Sequence, residues 1–593
     1  MRYKNRKGEK GDISLATAII FGVLITVLVF MLLNSVVSEG SLTKRDQARD
    51  QVINAAQMGV KNVLSVAHFV LQTRIPEKKV SQITQTYLSD LLPPSSNSTS
   101  TLAVNISNIY NQTKQVDPTT AYTILNYSFS LASYTTNLFF LSTKVSYTYV
   151  YTITSKGYKT TSNPNLSLTI TATGKIEGSA YIENFARYAL FTDKHTMADG
   201  TTKVWFTSDT RFYGPVHTNG RFAFADNPFF SDEVSSAEND AYFYHYKNGN
   251  TALAANSYPP DVPTFQAGFT RGAQKINLPE STNSQLISSL GGDPVNDLSS
   301  ITSENTRNQY IRRKLGLTVN NNPPPDGIYT QTIVNGGGIF VQGDASIQFG
   351  KDNQGRAVYT ITQGSTTSVF TIDTAQNKTY VKTGTNTIEI NAIPNGVIYV
   401  NGATDSKGNL TNGTITSVSG TIQKDQAITL VGRKGVTITN HIKYEDDPIN
   451  NRSAKNILGI LAEEGDIIVD PPRDKNGNPS HTDADPSDPD LDFEIDAVLM
   501  SPKGVVQVKD YNSRTRGGSV ILKGGIISKN YGAFGTFSNI NKTGYGREFY
   551  YDYRMKEDYA PPSFPTTGRT IYTEGTVANP KWLKIDKWEE KWE

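Results

Sequence analysis

The sequence predicts a mainly β protein carried on one long N-terminal helix, and three observations predict it. A single apolar run near the N-terminus is followed by an amphipathic stretch of helical period. Beyond residue 76, Thr, Asn, Ser, Gly and Tyr are plentiful and long helical patterns are scarce. Short apolar segments bounded by Gly, Asn or Asp then recur through the second half of the chain. At 593 residues the chain is long enough to bury more than one core. Its formal charge of +2 sets up no global field for nucleic acid. With no cysteine, stability has to come from packing and backbone pairing.

Residues 1–11 form a basic leader, with Arg2, Lys4, Arg6, Lys7 and Lys10 against the single acid Glu9. That excess is expected to hold the N-terminus in the cytoplasm. No charge occurs from Leu15 to Leu33. As a helix this run is about 28 Å long, against a hydrocarbon core of roughly 30 Å. A secretory signal would have a shorter apolar core and a small-x-small site, and Asn34-Ser35-Val36-Val37-Ser38 is a poor one. A plain anchor is the simpler alternative, but it needs no continuation. Here Val52, Ala55, Ala56, Gly59, Val63, Val66, Ala67 and Val70 recur at three- and four-residue steps. Lys44, Arg45, Asp46, Arg49, Asp50, Asn54, Lys61 and Asn62 lie largely off that face, and Pro76 ends the pattern. Residues 12–76 are therefore expected as one helix, half membrane-embedded and half amphipathic.

The basic leader, Lys10-Gly11, the apolar span and the amphipathic continuation resemble a class III prepilin signal and the helix of a type IV pilin. The resemblance implies cleavage after Gly11, leaving Asp12 as the first residue. Pilins usually begin with an apolar residue and carry Glu at the fifth position, whereas Ala16 would stand fifth here. A missing glutamate resembles PilX-type minor pilins and implies a place at a filament tip.

Residues 77–184 have the size of a pilin head. A polar loop at 95–101 precedes strands expected at 122–131, 136–141, 145–155, 166–173 and 175–184, an antiparallel sheet to lie on the helix. Residues 185–325 open the next domain with Gly214-Pro215-Val216-His217-Thr218-Asn219-Gly220, two turns around a short strand. This string resembles a signature of large minor pilins of the ComZ type. No nucleophile or second metal-spaced histidine accompanies His217, so it is expected to bond its neighbours in a tight rung. Helical spacing at 284–291 and 305–315 and the run Asn320-Asn321-Asn322-Pro323-Pro324-Pro325 read as an excursion with a stiff hinge.

Over 326–565 the segments 338–344 and 395–402 echo each other. Strands are expected at 428–431, 436–442, 457–462, 467–469, 497–500, 505–508, 520–522 and 526–528. Such short, Gly-bounded strands suggest stacked rungs of a β-solenoid, with an array of immunoglobulin-like sandwiches as the alternative. Residues 544–555 and 561–565 resemble the closing part of the ComZ-type domain, and 566–593 is read as a C-terminal tail.

Two local features carry candidate chemistry. Asp470, Asp474, Asn476 and Asn478 offer oxygen ligands that would suit Ca2+, although Asp485 stands where a calcium loop has its bidentate Glu. The simpler reading is a solvated acidic loop, and no cofactor is expected. Between Met500 and Tyr559, ten basic side chains face five acidic ones, with aromatics interleaved. Arg514, Arg516, Lys523, Lys529, Tyr531, Tyr545 and Arg547 would match phosphates and stack on bases, or else pack the end of the solenoid. Together with the resemblance, this implies a minor pilin at a pilus tip. Its partners would be other pilins, a membrane crossed once, and extracellular DNA or surface glycans. The rival is a membrane-anchored β-helix protein that binds or cleaves polysaccharide. No enzyme is expected, because the acidic cluster sits in a low-complexity loop.

Overall fold

The computed structural model describes residues 10–92, 94, 110–139, 142–161, 166–208, 210–250, 261–487, 490–537, 542–557, 559–574 and 583–592. Strands hold 42% of the residues and helices 20%, so the protein is mainly β. Two compact units divide it: 1–137, 144–180 and 570–593 make the first, and 138–143 with 181–569 the second.

In the first unit a single helix, Lys10–Arg74, carries an antiparallel sheet. Val52, Ala55, Ala56, Val60, Val63, Leu64, Ala67, Val70 and Leu71 are buried. The amphipathic face is thus the expected one, widened by Val60, Leu64 and Leu71, while Val66 stays half-exposed. The strands Thr120–Phe139, Ser142–Lys159 and Ser167–Asn184 neighbour one another. Along Ser142–Lys159, Val145, Tyr147, Tyr149, Tyr151 and Ile153 alternate inward, the period of two that a half-buried sheet requires. Helix and strand meet at glycines. A Cβ on Gly157 would stand 2.4 Å from the Val52 carbonyl oxygen and 2.6 Å from the Ala56 nitrogen. Asn62 Nδ2 donates to the Tyr122 hydroxyl at 2.8 Å and Tyr149 donates to the Leu88 carbonyl at 2.6 Å. Residues 570–593 do not stand apart as a tail: the strand Leu583–Trp592 pairs antiparallel with Ser167–Asn184. The polar loop at 95–101 lies outside the described residues.

The second unit coils between two parallel sheets. Its first sheet runs, in space, Phe269–Arg271, Val234–Ser236, Val216–Thr218, Leu190–Lys194, Gly525–Asn530, Val498–Ser501, Ile457–Ala462, Ala427–Gly432, Val397–Asn401, Ile339–Gln342, then the antiparallel Gly327–Tyr329. Between visits to it the chain supplies the second sheet, with Ala345–Lys351, Thr414–Ile422, Gly435–Tyr444, Phe493–Ile495, Ser519–Lys523 and Gly546–Tyr550 parallel. This alternation is that of a solenoid, and parallel pairing is foreign to the sandwich alternative. One residue per turn forms an apolar ladder: Ile339, Ile398, Leu430, Ile460, Leu499, Ile526, Leu190, Val216 and Val234, all buried. Each contributes about 1.5–3 kcal/mol of transfer free energy.

The stack is not in chain order. The chain enters at its middle with Leu190–Lys194 and winds to Phe269–Arg271. It then crosses to the far end, winds back, and closes when Gly525–Asn530 pairs in parallel with Leu190–Lys194. The crossing segment includes the helices Asn283–Ser289 and Glu304–Lys314. The proline run expected as a hinge is tied down instead, since Arg312 Nη1 donates to the Pro323 carbonyl at 3.1 Å and Asn308 to that of Asn321 at 2.9 Å.

Candidate functional site

The helix Lys10–Arg74 has two zones of opposite character. Its 65 residues reach about 97 Å at 1.5 Å per residue. From Ile20 to Val37 the large apolar side chains are 47–68% exposed, whereas Val52–Leu71 is packed on one face. A window of mean hydropathy 2.6 gives the exposed zone the composition and length to cross a membrane. Its Thr26 hydroxyl donates to the Gly22 carbonyl at 2.7 Å, so that polar group is satisfied inside the helix. Gly11 and Asp12 stand in the first turn, and residues 1–9 lie outside the described ones.

The Gly214–Gly220 string builds one turn of the coil. A Cβ on Gly214 would meet the Tyr551 ring at 2.3 Å, and Pro215 offers its carbonyl to the Ala189 N–H at 2.9 Å. His217 lies in the strand Val216–Thr218, in register between Phe191 and Ser235. It stacks on Phe191 at 5.1 Å, and its Nδ1 shares a 2.8 Å hydrogen bond with Ser235 Oγ. Its Nε2 lies 3.2 Å from Asn219 Oδ1. Burial pushes its pKa down to about 4, so the ring is neutral at pH 7. Asn219 accepts from the Ile276 N–H at 2.9 Å and donates to the Ile276 carbonyl at 2.6 Å, clipping the departing chain where another strand would pair. The polar atoms of His217 and Asn219 are thus spent on Ser235, on each other and on the Ile276 backbone.

The carboxylates of Asp470 and Asp474 are engaged within the chain. Asp474 Oδ1 accepts the backbone N–H groups of Asn476 and Asn478, both at 2.8 Å. Asp405 does the same for Lys407 and Asn409, and Asp352 for Gln354 and Arg356. Asp-x-x-Gly-x is thus a recurring self-capped turn of this chain. Asp470 points elsewhere, to Lys509 at 2.9 Å and Arg514 at 3.2 Å. Among the described residues no three His, Cys, Asp or Glu side chains converge as metal ligands would.

The basic and aromatic face is likewise not assembled. The Arg514 side chain is fully buried, bonded to Asp470 and the Pro471 carbonyl, with Tyr545 beneath it, also buried. Tyr531 is 3% exposed, and half-buried Arg547 donates to its hydroxyl. Arg516 is half-buried, Lys523 is held by carboxylates, and Lys529 alone of the seven is exposed. The sequence excess of positive charge is met by acids from other turns.

What the sequence did not reveal is an open cleft of about 270 Å³ on the outer side of the second sheet. Asp447, Ile449, Asp485, Glu494, Lys523 and Tyr550 line it. Its floor comes from outward positions of neighbouring strands, as Glu494 stands beside Ile521 and Lys523 beside Tyr550. Lys523 Nζ reaches Glu494 Oε1 at 2.6 Å, Asp447 Oδ2 at 3.3 Å and, below, Asp496 Oδ1 at 3.9 Å. Lys443 takes the other Glu494 oxygen at 2.8 Å. Burial lifts Asp496 to about 8, while the bonds from Lys443 and Lys523 outweigh burial and hold Glu494 below the usual range. Asp496 Oδ2 accepts the Tyr444 N–H at 2.7 Å, and its Oδ1 has no hydrogen-bond donor.

Comparison with known proteins gives two similarities. A family model described as a domain of unknown function, DUF4900, matches residues 146–238, which include the Gly214–Gly220 string. No curated protein matches the sequence. Among solved structures, the competence-associated pilin ComZ from Thermus thermophilus aligns over 92% of this chain and 98% of that chain, at 11% identity and a TM-score of 0.25.

Proposed function

We propose that this chain is a pilin-like, non-enzymatic surface protein. Its apolar helical zone spans the cytoplasmic membrane before assembly, with the N-terminus inside, and lies among other pilin helices afterwards. One observation carries the reading: a single helix is bare and apolar over Ile20–Val37 and packed on a sheet over Val52–Leu71. A simple anchor has no use for the second zone. The solenoid is then the displayed part, at the filament tip, for adhesion or capture of extracellular DNA. Adhesion is the arm that the open cleft supports, because only Lys529 of the expected DNA contacts is exposed. The test is N-terminal sequencing of the protein recovered from sheared filaments. The expected first residue is Asp12. A chain that keeps Met1 and stays with the membrane fraction overturns the filament reading and leaves an anchored surface protein.

A further inference from the structure

We infer that the cleft on the second sheet is a binding site for an amino sugar, a pyranose ring bearing a free ammonium group. The inference deepens the adhesive reading above. The cleft walls carry Asp447, Asp485 and Glu494 against Lys523, an excess of negative charge that favours a cationic guest. Glu494 is saturated, since both of its oxygens hold lysines. Asp485 is not: its Oδ1 takes Ser487, and its Oδ2 has no hydrogen-bond partner among the described residues. Asp447 is held more loosely, its Oδ2 accepting from Lys523 Nζ and Asn450 Nδ2, both at 3.3 Å, and its Oδ1 from the Ile449 N–H at 2.9 Å. A second observation stands beneath the floor. Asp496 is 1% exposed, and its Oδ1, without a donor, faces Lys523 Nζ across 3.9 Å. An incoming ammonium that takes Asp447 and Asp485 replaces only the longer, 3.3 Å contact of Lys523 with Asp447, while the 2.6 Å bond of Lys523 to Glu494 stays in place beside Asp496.

The remaining lining selects a ring. Tyr550 is 40% exposed and Ile449 42%, an aromatic face and an aliphatic edge standing open beside the carboxylates. A pyranose lays its C–H face on such a ring while its hydroxyls meet carboxylate oxygens. The volume is below the roughly 300–1,000 Å³ that encloses drug-sized ligands, which limits the guest to about one ring with the rest of a chain running out along the open side. A lysine side chain also presents an ammonium, but it brings no face for Tyr550 and loses more rotamer entropy on ordering.

Calorimetric titration of the full chain in detergent micelles tests this with three probes: a β-1,4-linked glucosamine tetramer, its fully N-acetylated counterpart and tetralysine. The glucosamine tetramer is expected to bind at least tenfold more tightly than either of the others. Asp485→Asn keeps the loop shape and Tyr550→Ala removes the platform; each is expected to weaken that binding at least tenfold with the melting temperature unchanged. Equal binding of the acetylated tetramer removes ammonium recognition and overturns the inference. Tetralysine binding as tightly as the sugar reduces the cleft to an electrostatic patch and also overturns it, as does wild-type affinity in Asp485→Asn. Because micellar protein needs no filament, this failure is distinguishable from failure of the pilin reading.

Discussion

Replacing Gly157 by alanine tests how the helix is seated. The added Cβ would stand 2.4 Å from the Val52 carbonyl oxygen and 2.6 Å from the Ala56 nitrogen, both backbone atoms of the helix. Ordinary contact begins near 3.4 Å, so the helix must withdraw by about 1 Å at this point. A gap of 0.5–1 Å forfeits about a quarter to a half of each dispersion contact, here around buried Val52, Ala55 and Ala56. The expected cost is about 2–4 kcal/mol, at and above the upper end of overpacking penalties because backbone cannot rotate away. Gly59→Ala is the internal comparison. Its Cβ would strike Ser155 Oγ at 2.0 Å and Ser155 Cβ at 2.9 Å, and the hydroxyl is a movable group with no partner of its own. Gly59→Ala should therefore cost less, and Ser155→Ala should restore part of that loss while doing nothing for Gly157→Ala. Urea unfolding of the full chain in micelles, followed by proteolysis at Lys61, reads the first unit. Equal midpoints for Gly157→Ala and wild type would refute the close seating.

Three further outcomes follow from the second unit. His217 has its folded pKa lowered to about 4, so the stability it provides is complete above its unfolded value near 6.5 and is lost as pH falls toward 4. The loss approaches on the order of 3 kcal/mol, and His217→Asn should flatten that acid limb in melting curves taken from pH 7 to 4.5. Asp496 has the opposite sign: its folded pKa is raised to about 8, so stability falls as pH rises from about 4 to 8, and Asp496→Asn should remove that slope. Because Asp474 spends its oxygen on its own turn, chelator should leave the melting temperature unchanged, and Asp474→Ala should lower it by the same amount with and without added Ca2+.

The helix was legible because one element carries both signals, an uncharged run and then a 3.6-residue period. Strands such as Ile457–Ala462 and Ile467–Val469 were legible to the residue, because Asn456, Glu463, Asp466 and Asp470 bound the two apolar runs. Their order in space was not. In a parallel ladder one short Val/Ile/Leu strand is as good a neighbour as another, so nothing local tells Gly525–Asn530 to pair with Leu190–Lys194 rather than to end the stack. The antiparallel meander from Ala357 to Ile390 was missed for a related reason, since its alternation continues that of the flanking strands. Charge misled where sequence neighbours point different ways. Arg514 turns inward to Asp470, and Lys523 meets Glu494, so a local excess of cations is not a surface. The cleft was invisible because Asp447, Asp485, Glu494, Lys523 and Tyr550 come from five separate segments.

The closure of the stack bears on how a chain without cysteine holds this fold. The first strand of the unit, Leu190–Lys194, receives its second neighbour only when Gly525–Asn530 arrives. Closing so long a loop adds little to the equilibrium cost, since loop entropy grows only as the logarithm of length, but it makes the pairing late. Until then an apolar strand offers an open edge, which is an aggregation hazard. The segments recognised separately in the sequence converge on this point. Gly214 admits the Tyr551 ring, whose hydroxyl donates to the Arg187 carbonyl at 2.6 Å, and Tyr553 donates to the Tyr213 carbonyl at 3.0 Å. The Phe185 N–H bonds the Pro565 carbonyl at 3.0 Å, so the chain enters and leaves the unit at one place. The two motifs are therefore two halves of one clasp. Each is needed where the last turn meets the first, which accounts for glycine at 214 and tyrosine at 551 without assigning either a ligand.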